Sequence, residues 1–297
     1  MDERPTVASF FKAAFYLAPA LAVLGVFTIY PIFSSLLLSF YADYDYFHDV
    51  VYRFGVDNYV YLLHDPSFWQ ALRNTALFVL GVVPASLALS LGLALLLRQR
   101  LPGMAAFRTV YFLPVVTSVV AISVVWRWIF HTDYGLLNYV LSWFGVSPIP
   151  WLTSPRWAIP SLIILAIWKS LGYNILIFLA GLSAIPEVYE QAARVDHATA
   201  WQRFWHVTFP LLAPTTFFVS VVSVIDAFKV FDEVYALFGG NAGPVRSALT
   251  LVFYIFEKFY REQDYAVAAA ASYVLFLLTF LLTLLQLWIG RKIAYNR

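Results

Sequence analysis

Four polar side chains interrupt two long apolar segments of this chain. Lys169 and Asn174 lie in one segment, and Asp226 and Lys229 lie in another. An isolated charge near the centre of a bilayer costs about 2.5–3.5 kcal/mol on insertion scales, so these groups should face protein or a wet path. One interpretation is that they line a translocation path. The alternative is that Asp226 and Lys229, three residues apart on one helical face, pair with each other and fix the helix packing.

Aromatic side chains stand beside these polar groups in the sequence. Trp168, Tyr173, Phe228 and Phe231 are flat and apolar, and such faces stack on sugar rings. Aromatic residues inside spans more often serve packing, so that alternative stays open. The predicted substrate path consists of Trp168, Lys169, Tyr173, Asn174, Asp226 and Lys229.

A charged, amphipathic stretch, residues 190–214, separates two of the apolar segments. Glu187 to Val195 can form a short helix, because acids in its first turn suit the helix dipole. We predict a turn at Asp196-His197, followed by a second helix from Thr199 to Val207. The two helices would present a knob that suits a soluble partner.

The second helix of this stretch carries one apolar stripe, and two prolines follow it. Pro210 and Pro214 are expected to restart the chain towards the membrane. The stripe leaves an alternative open, which is an ordinary amphipathic hairpin lying on the lipid surface. The stripe recurs at helical spacing and comprises Trp201, Phe204, Trp205 and Thr208.

The composition excludes several classes of protein. Hydrophobic residues make up 62% of the 297 and charged residues only 12%, whereas soluble domains carry about 25% charged residues. The net charge of +2 gives no general affinity for nucleic acid. The absence of cysteine excludes disulfides, thiolate metal sites and cysteine nucleophiles.

Six segments are long and apolar enough to cross a bilayer, which takes about 20 residues. The fifth also contains Asp226, Lys229, Asp232 and Glu233. The predicted spans are 13–40, 75–97, 107–130, 157–182, 211–238 and 266–290.

Lysine and arginine set the orientation, because cytoplasmic loops carry an excess of them. Alternate loops hold six, mixed with acids: Arg53, Arg73, Arg156, Arg246, Lys258 and Arg261. The other loops and both termini are therefore predicted to be cytoplasmic, and they hold ten: Arg4, Lys12, Arg98, Arg100, Arg108, Arg194, Arg203, Arg291, Lys292 and Arg297.

The 183–210 loop resembles the signature loop of permease subunits of binding-protein-dependent ABC importers. That signature is E-A-A, three residues, Gly, nine residues, Ile, one residue and Leu-Pro. Placing Pro210 on the final Pro puts Gln191, Ala192 and Ala193 on E-A-A and His197 on the Gly. The positions on either side of the Gly also match the common form, with Asp196 before it and Ala198 after it.

Val207 falls on the Ile of the signature and Phe209 on its Leu, and two other departures matter more. Gln191 replaces the acid, although Glu190 stands next to it, and His197 replaces the Gly. A Gly at this position indicates a turn with positive φ, which His adopts at some cost. Segments 111–141, 167–186 and 225–244 resemble the carbohydrate-uptake branch of the family, the maltose and glycerol-3-phosphate type.

The resemblance implies an all-α, polytopic membrane protein with six transmembrane helices and the type I ABC importer permease fold. Residues 1–297 would form a single transmembrane domain with a cytoplasmic coupling loop at 183–210. The resemblance implies that this loop contacts an ATPase through Gln191, Ala192, Ala193, Asp196, His197, Ala198 and Pro210.

The resemblance also implies partners. They are a second homologous permease, forming a heterodimer, two ATPase subunits and an external solute-binding protein. The chain lacks a G-x-x-x-x-G-K-[ST] loop, so it is expected to be no enzyme and to bind no cofactor or metal. ATP and Mg would be used by the ATPase, and a carbohydrate or related polyol, phosphorylated or not, would cross by alternating access. The location implied is a bacterial or archaeal cytoplasmic membrane.

The residues leave two rival functions open. A self-sufficient secondary transporter or channel would need no docking loop, and the chain shows no inverted repeat of the kind that builds many such transporters. A membrane-embedded enzyme is the other rival. The five histidines are scattered along the chain without an H-E-x-x-H motif.

Overall fold

Long apolar helices dominate the structure, because only a helix or a closed barrel satisfies all backbone polar groups within hydrocarbon. The structure is a computed structural model, and it describes residues 7–45, 48, 50–98 and 104–295. Arg4, Arg100 and Arg297, used above to set the orientation, lie outside these residues.

The described elements are mostly helical. The helices are α1 Val7–Leu24, α2 Tyr30–Leu38, α3 Asp57–His64, α4 Pro66–Leu97, α5 Met104–Val116, α6 Val119–Ile129, α7 Leu136–Ser142, α8 Pro155–Ser183, α9 Glu187–Val195, α10 Ala200–Arg203, α11 Phe209–Phe228, α12 Asp232–Leu237, α13 Leu251–Phe256 and α14 Tyr265–Tyr295. Three π-helical turns, Gly25–Ile29, Phe204–Thr208 and Glu257–Arg261, and a 3-10 turn, Pro244–Arg246, complete the helical elements. Strands β1 Tyr41–Asp45 and β2 Val50–Phe54 pair antiparallel.

The chain divides into two compact units. Unit 1 comprises the described residues through Asp65 together with Ile255–Val274, and unit 2 comprises Pro66–Tyr254 and the described residues from Leu275. The prediction of a single domain over 1–297 stays a prediction.

Among the described residues, five helices are long and apolar enough to cross a membrane, and a bent pair raises the number to six. The predicted spans 13–40, 75–97, 157–182 and 266–290 coincide with or fall largely within four of the five. Those four are Ala14–Leu38, Pro66–Leu97, Pro155–Ser183 and Tyr265–Arg291.

The predicted third span, 107–130, is wrong as one continuous helix. It consists of Thr109–Val116 and Val119–Ile129, which meet at an angle of 114°. Pro114 lacks the N–H of a regular turn, and Ser118 has extended ψ of 132°. The Thr117 hydroxyl donates to the Leu113 carbonyl at 2.7 Å, which supplies a partner at the break.

The predicted fifth span, 211–238, is wrong at both ends. The helix runs from Ala200 to Phe228. It ends at Lys229, and the separate short helix α12 follows. The charged residues that seemed out of place inside a span therefore lie at and beyond the end of one.

A widened helical turn before Pro210 explains why the fifth span starts earlier than predicted. Pro210 was expected to restart the chain, but the helix continues through it. The π-helical turn Phe204–Thr208 precedes it, and the N–H of Phe209 donates to the carbonyl of Phe204, five residues back. A proline ring clashes with the carbonyl four residues before it, and a widened turn relieves that clash. The same device, Gly25–Ile29, precedes Pro31.

Unit 2 is organised around α8, which packs against α4, α5 and α11. Membrane helices associate through small residues that let backbones approach. A Cβ on Gly172 would lie 2.4 Å from the Tyr111 carbonyl of α5, and one on Gly181 would lie 2.5 Å from Thr215 Oγ1 of α11. Buried side chains of α4, α8 and α11 form one hydrophobic core cluster. Its members are Ala94, Ile175, Phe178, Leu182, Leu212 and Val219.

Unit 1 holds the β-hairpin and a buried ammonium. The Asn58 amide donates to the carbonyls of Ser39 and Tyr41, both at 3.0 Å, and so ties α3 to β1. Lys258 is only 5% exposed and donates to Glu262 at 2.6 Å and to the Tyr61 hydroxyl at 3.0 Å. Burial lowers the pKa of Lys258, but these hydrogen bonds and charges outweigh it and raise the pKa above its ordinary value. Lys258 is therefore charged at neutral pH.

Replacing Gly172 by leucine tests the close approach of α8 and α5. The new side chain meets backbone, which cannot rotate away, and overpacking of this kind costs about 1–3 kcal/mol. We expect Gly172→Leu to lower the midpoint of thermal unfolding in mild detergent. Gly92→Leu is the matched control, because a Cβ on Gly92 meets no atom within 4 Å. Equal midpoints for the two variants would contradict the packing described here.

Candidate functional site

A polar cavity of about 400 Å³ opens within unit 2, between α4, α5, α8, α11 and α12. Five of the six residues of the predicted substrate path line it. They are Lys169, Tyr173, Asn174, Asp226 and Lys229. Tertiary structure thus brings two distant segments together, as the interpretation of these residues as a translocation path requires.

Helical spacing explains how α8 contributes. Lys169, Ser170, Tyr173 and Asn174 recur at three- and four-residue intervals and face one side of the helix. From α11 and the chain after it, Asp226 and Lys229 enter the same space, where the helix ends. Irregular backbone at membrane depth is tolerated where it lines a cavity.

One charge in the cavity is neutralised by a partner that sequence analysis missed. Lys169 Nζ lies 2.6 Å from Glu233 Oε1, at the start of α12, and both side chains are largely buried. The sequence carries a signal for this pair, since Glu233 is one of the charged residues in the fifth predicted span and needs a partner of opposite charge. Neither Asp226 nor Lys229 forms an ion pair with a described residue; the backbone N–H of Lys229 donates to the Asp226 carbonyl at 3.1 Å. The alternative of an Asp226–Lys229 pair is therefore not what the structure has.

Asn174 supplies an unsatisfied donor in the cavity. The residue is 3% exposed, and its Nδ2 has no hydrogen-bond partner in the described structure. A buried polar group without a partner costs about 1–3 kcal/mol. An oxygen of a bound solute would satisfy it.

Trp168 does not join the cavity. Its ring packs edge-on against Trp126 of α6, with centroids 5.6 Å apart, and it is not among the lining residues. Its neighbour Lys169 points to a different side of α8, because adjacent helical positions are about 100° apart. Trp168 thus fits the packing interpretation. The ring of Tyr173 and the ring of Phe231 do line the cavity.

The hairpin formed by α9 and α10 has the predicted first helix and turn, but the second helix, predicted over Thr199 to Val207, begins at Ala200 and continues to Phe228. Helix α9 spans Glu187–Val195 as predicted. His197 has φ of 55°, the left-handed conformation expected at the glycine position of the signature. The N–H of His197 donates to the Arg194 carbonyl at 3.1 Å, and the N–H of Ala198 donates to the Ala193 carbonyl at 3.0 Å. Together these bonds form a Schellman motif, which closes the C-terminus of α9.

The second arm of the hairpin begins with a capping box. The N–H of Gln202 donates to Thr199 Oγ1 at 3.3 Å, and the N–H of Thr199 donates to Gln202 Oε1 at 2.8 Å. Each residue satisfies a free donor of the other. The turn between α9 and α10 is therefore held on both sides by local hydrogen bonds.

The hairpin exposes an apolar stripe. Val188 and Val195 are 62% and 78% exposed, and Ala192 between them is also exposed. The spacing of four and three residues puts them on one face of α9. Of the other predicted coupling residues, Gln191, Asp196 and His197 are exposed, Ala193 and Ala198 are half-buried, and Pro210 lies half-buried in α11.

Comparison with known proteins identifies the family. Residues 86–295 match the model of the binding-protein-dependent transport system inner membrane component. The chain belongs to this family. The resemblance predicted from the 183–210 loop is confirmed, and the permease is a multi-pass membrane protein and the transport component of its system.

Curated relatives resemble the permease over almost its whole length. It is 39% identical over 282 residues to the lactose transport system permease protein of Rhizobium radiobacter, covering 93% of each chain. It is 32% identical to the trehalose/maltose transport system permease protein of Thermococcus litoralis, covering 92% of this chain and 91% of that one.

A solved structure supports the fold. The permease matches a chain of a bacterial ABC transporter involved in the import of the acidic polysaccharide alginate, with a TM-score of 0.82, 23% identity and 96% of each chain covered. The predicted all-α fold of a type I ABC importer permease is thereby confirmed, with the short β-hairpin as an addition.

Two substitutions at His197 test the turn. A β-branched residue is disfavoured at positive φ, whereas glycine adopts it freely. We expect His197→Val to speed amide hydrogen exchange at Ala198, and His197→Gly to leave it equal or slower. Identical exchange in the two variants would mean that the Schellman turn does not hold α9 closed.

Proposed function

We propose that this chain is a permease subunit of an ATP-driven ABC importer that translocates a carbohydrate or related polyol by alternating access. One observation carries the proposal. The helix Ala200–Phe228 joins the exposed hairpin at one end to the polar cavity at the other. At 1.5 Å per residue this helix is about 40 Å long. A push on the hairpin therefore reaches the cavity through one element.

The lining of the cavity supports a polyhydroxylated solute. Among the described residues, the Asn174 amide N–H has no hydrogen-bond partner and Asp226 and Lys229 have no ion-pair partner, so the cavity offers both donors and an acceptor. The rings of Tyr173 and Phe231 offer apolar faces. The relatives named above transport lactose and trehalose or maltose, and a further relative, 33% identical, transports sulfoquinovosyl glycerol.

The energy source belongs to partners in this proposal. The chain has no phosphate-binding G-x-x-x-x-G-K-[ST] loop, so two ATPase subunits would hydrolyse ATP with Mg. Their groove would accept the stripe of Val188, Ala192 and Val195, together with the signature residues of the hairpin. ATP would draw the ATPases together, and α11 would carry that motion to the cavity.

The remaining partners complete the transporter. A second, homologous permease would close the cavity on the side that this chain leaves open, and an external solute-binding protein would deliver the solute. The distribution of Lys and Arg supports a cytoplasmic hairpin and cytoplasmic termini in a bacterial or archaeal cytoplasmic membrane.

Affinity purification from the native membrane in mild detergent, followed by mass spectrometry, tests this assembly. We expect to recover an ATPase, a second permease and a solute-binding protein, whose ligand can then be identified by screening sugars. Solute uptake by the purified chain alone, with no ATPase recovered after cross-linking at residues 187–209, would favour a self-sufficient transporter instead.

Replacing Asn174 tests its role in the cavity, because the variant should keep or gain thermal stability while its uptake of solute weakens. Asn174→Leu removes an unsatisfied buried donor, so the protein should unfold at an equal or higher temperature. It should also raise the KM for uptake about tenfold, because a hydrogen bond to the solute is lost. Ser90→Ala is the matched control, since the buried Ser90 hydroxyl also has no partner in the part of the chain that the structure describes but does not line the cavity. An unchanged KM in Asn174→Leu would remove Asn174 from the path.

Val195 tests the docking stripe. Its side chain is exposed, so Val195→Glu should leave unfolding unchanged. Burial of an unpaired charge against the ATPase costs about 2 kcal/mol or more, and retention of the ATPase should fall about 30-fold or further. Val195→Thr, which has the same shape without charge, should retain the ATPase. Equal retention by both variants would place the docking contact elsewhere on the chain.

A further inference from the structure

A second cavity, of about 680 Å³, lies where the hairpin meets the end of α4. The proposed transport cycle makes no use of it. We call it the basic pocket. Its charged lining residues are Arg98, Glu190, Arg194 and Arg203, and its apolar lining includes Leu95, Trp201 and Phe204.

Positive charge exceeds negative charge in the basic pocket. Glu190 forms ion pairs with two arginines. Its Oε2 lies 3.2 Å from Arg98 Nη2, and its Oε1 lies 3.1 Å from Arg194 Nη2. Arg203 donates through Nη1 to the carbonyl of Ala198 at 2.7 Å and forms no ion pair with a described residue. Among the described lining residues, three guanidinium groups therefore face one carboxylate.

The fold assembles this charge from three separate segments. Arg98 follows α4, Arg194 lies in the last turn of α9 and Arg203 ends α10. Each guanidinium has five N–H donors, and the bonds described above use only a few of them. Guanidinium groups match phosphate oxygens with paired, charge-assisted hydrogen bonds.

The position of the pocket indicates which phosphate it meets. Leu95 and Arg98 lie at the end of a helix long and apolar enough to cross the membrane. Trp201 lines the pocket, is 69% exposed and packs edge-on against Trp205, with ring centroids 5.5 Å apart. Tryptophan prefers the level of the lipid headgroups, and basic pockets at the ends of spans bind anionic headgroups.

We propose that the basic pocket binds the headgroup phosphate of an anionic phospholipid. The phosphate bridges Arg98 of the membrane helix to Arg194 and Arg203 of the hairpin. Its single negative charge offsets one of the two positive charges that remain after Glu190 is counted. The lipid therefore restrains the hairpin against the end of α4, at the point where the proposed lever enters the membrane.

Lipid retention by the full-length chain in nanodiscs tests this proposal. Nanodiscs contain phosphatidylglycerol and phosphatidylcholine in equal amounts, and native mass spectrometry counts the lipids that stay bound. We expect preferential retention of phosphatidylglycerol. A nearby basic residue contributes about 1 kcal/mol to binding of anionic lipid, so Arg98→Gln and Arg203→Gln should each weaken retention about fivefold.

Two further variants separate binding from folding. Glu190→Gln removes the competing carboxylate and should strengthen retention, an increase that a folding defect does not produce. Arg156→Gln is the charge-matched control, because Arg156 is an exposed arginine at the opposite end of α8 from the hairpin. Its retention should equal that of the wild type. Equal retention in all four variants would overturn the proposal.

Two further measurements distinguish a lipid headgroup from a free anion and from a protein contact. Inorganic phosphate, added to lipid-depleted chain in detergent, should not reproduce the rise in unfolding temperature that phosphatidylglycerol causes; if it does, the pocket is a free-anion site. Bound ATPase should not displace the lipid; if it does, the pocket is a protein contact. Either contrary result overturns the lipid assignment. Lipid retention is measured without transport, so failure of the proposed import function would be seen separately.

Discussion

Backbone N–H and C=O groups that enter hydrocarbon must find partners within the protein, and this constraint organises the whole structure. It explains why helices such as Pro66–Leu97 and Pro155–Ser183 run for about 30 residues without interruption. It also explains how the chain accommodates two of its prolines. Around Pro31 and Pro210 the helix widens into a π turn and stays helical, whereas beyond Phe228 the backbone breaks only where a cavity adjoins it.

Close helix contacts turn this regular scaffold into a site. Helix α8 approaches the backbone of α5 at Gly172 and the side chain of Thr215 in α11 at Gly181. Such contacts leave little freedom for α8 to rotate or slide. Lys169 and Asn174 therefore point into the cavity in a defined direction, and the ion pair with Glu233 ties the same helix to α12. The polar groups of the cavity are held by apolar packing around them.

The hairpin is stabilised in a different way, because local hydrogen bonds rather than burial hold it together. The Schellman turn at His197 and the capping box of Thr199 and Gln202 close the two helix ends. Its valines are left exposed, which is costly for an isolated surface and ordinary for one that meets a partner. Since α10, the π turn and α11 form one continuous helix, the hairpin is joined to the membrane span without a flexible linker.

The sequence alone determined the class, the approximate spans and the outline of the hairpin. The length of an apolar segment, helical spacing and the signature from Gln191 to Pro210 are local properties of the chain, so they can be recognised in the sequence without a structure. The same pattern predicted the bounds of α9 and the turn at His197. Local sequence also carried the family resemblance, which later comparison confirmed.

Tertiary structure decided what local pattern could not. The break between Val116 and Val119, the early end of α11 at Phe228 and the helical passage through Pro210 are features of the backbone that hydropathy does not resolve, because hydropathy averages over about 19 residues. The partner of Lys169 is Glu233, 64 residues away, and no local spacing predicts a pair at that distance. Trp168 and Lys169 are adjacent in sequence but serve different surfaces, because the rotation of α8 against its neighbours assigns each side chain its environment.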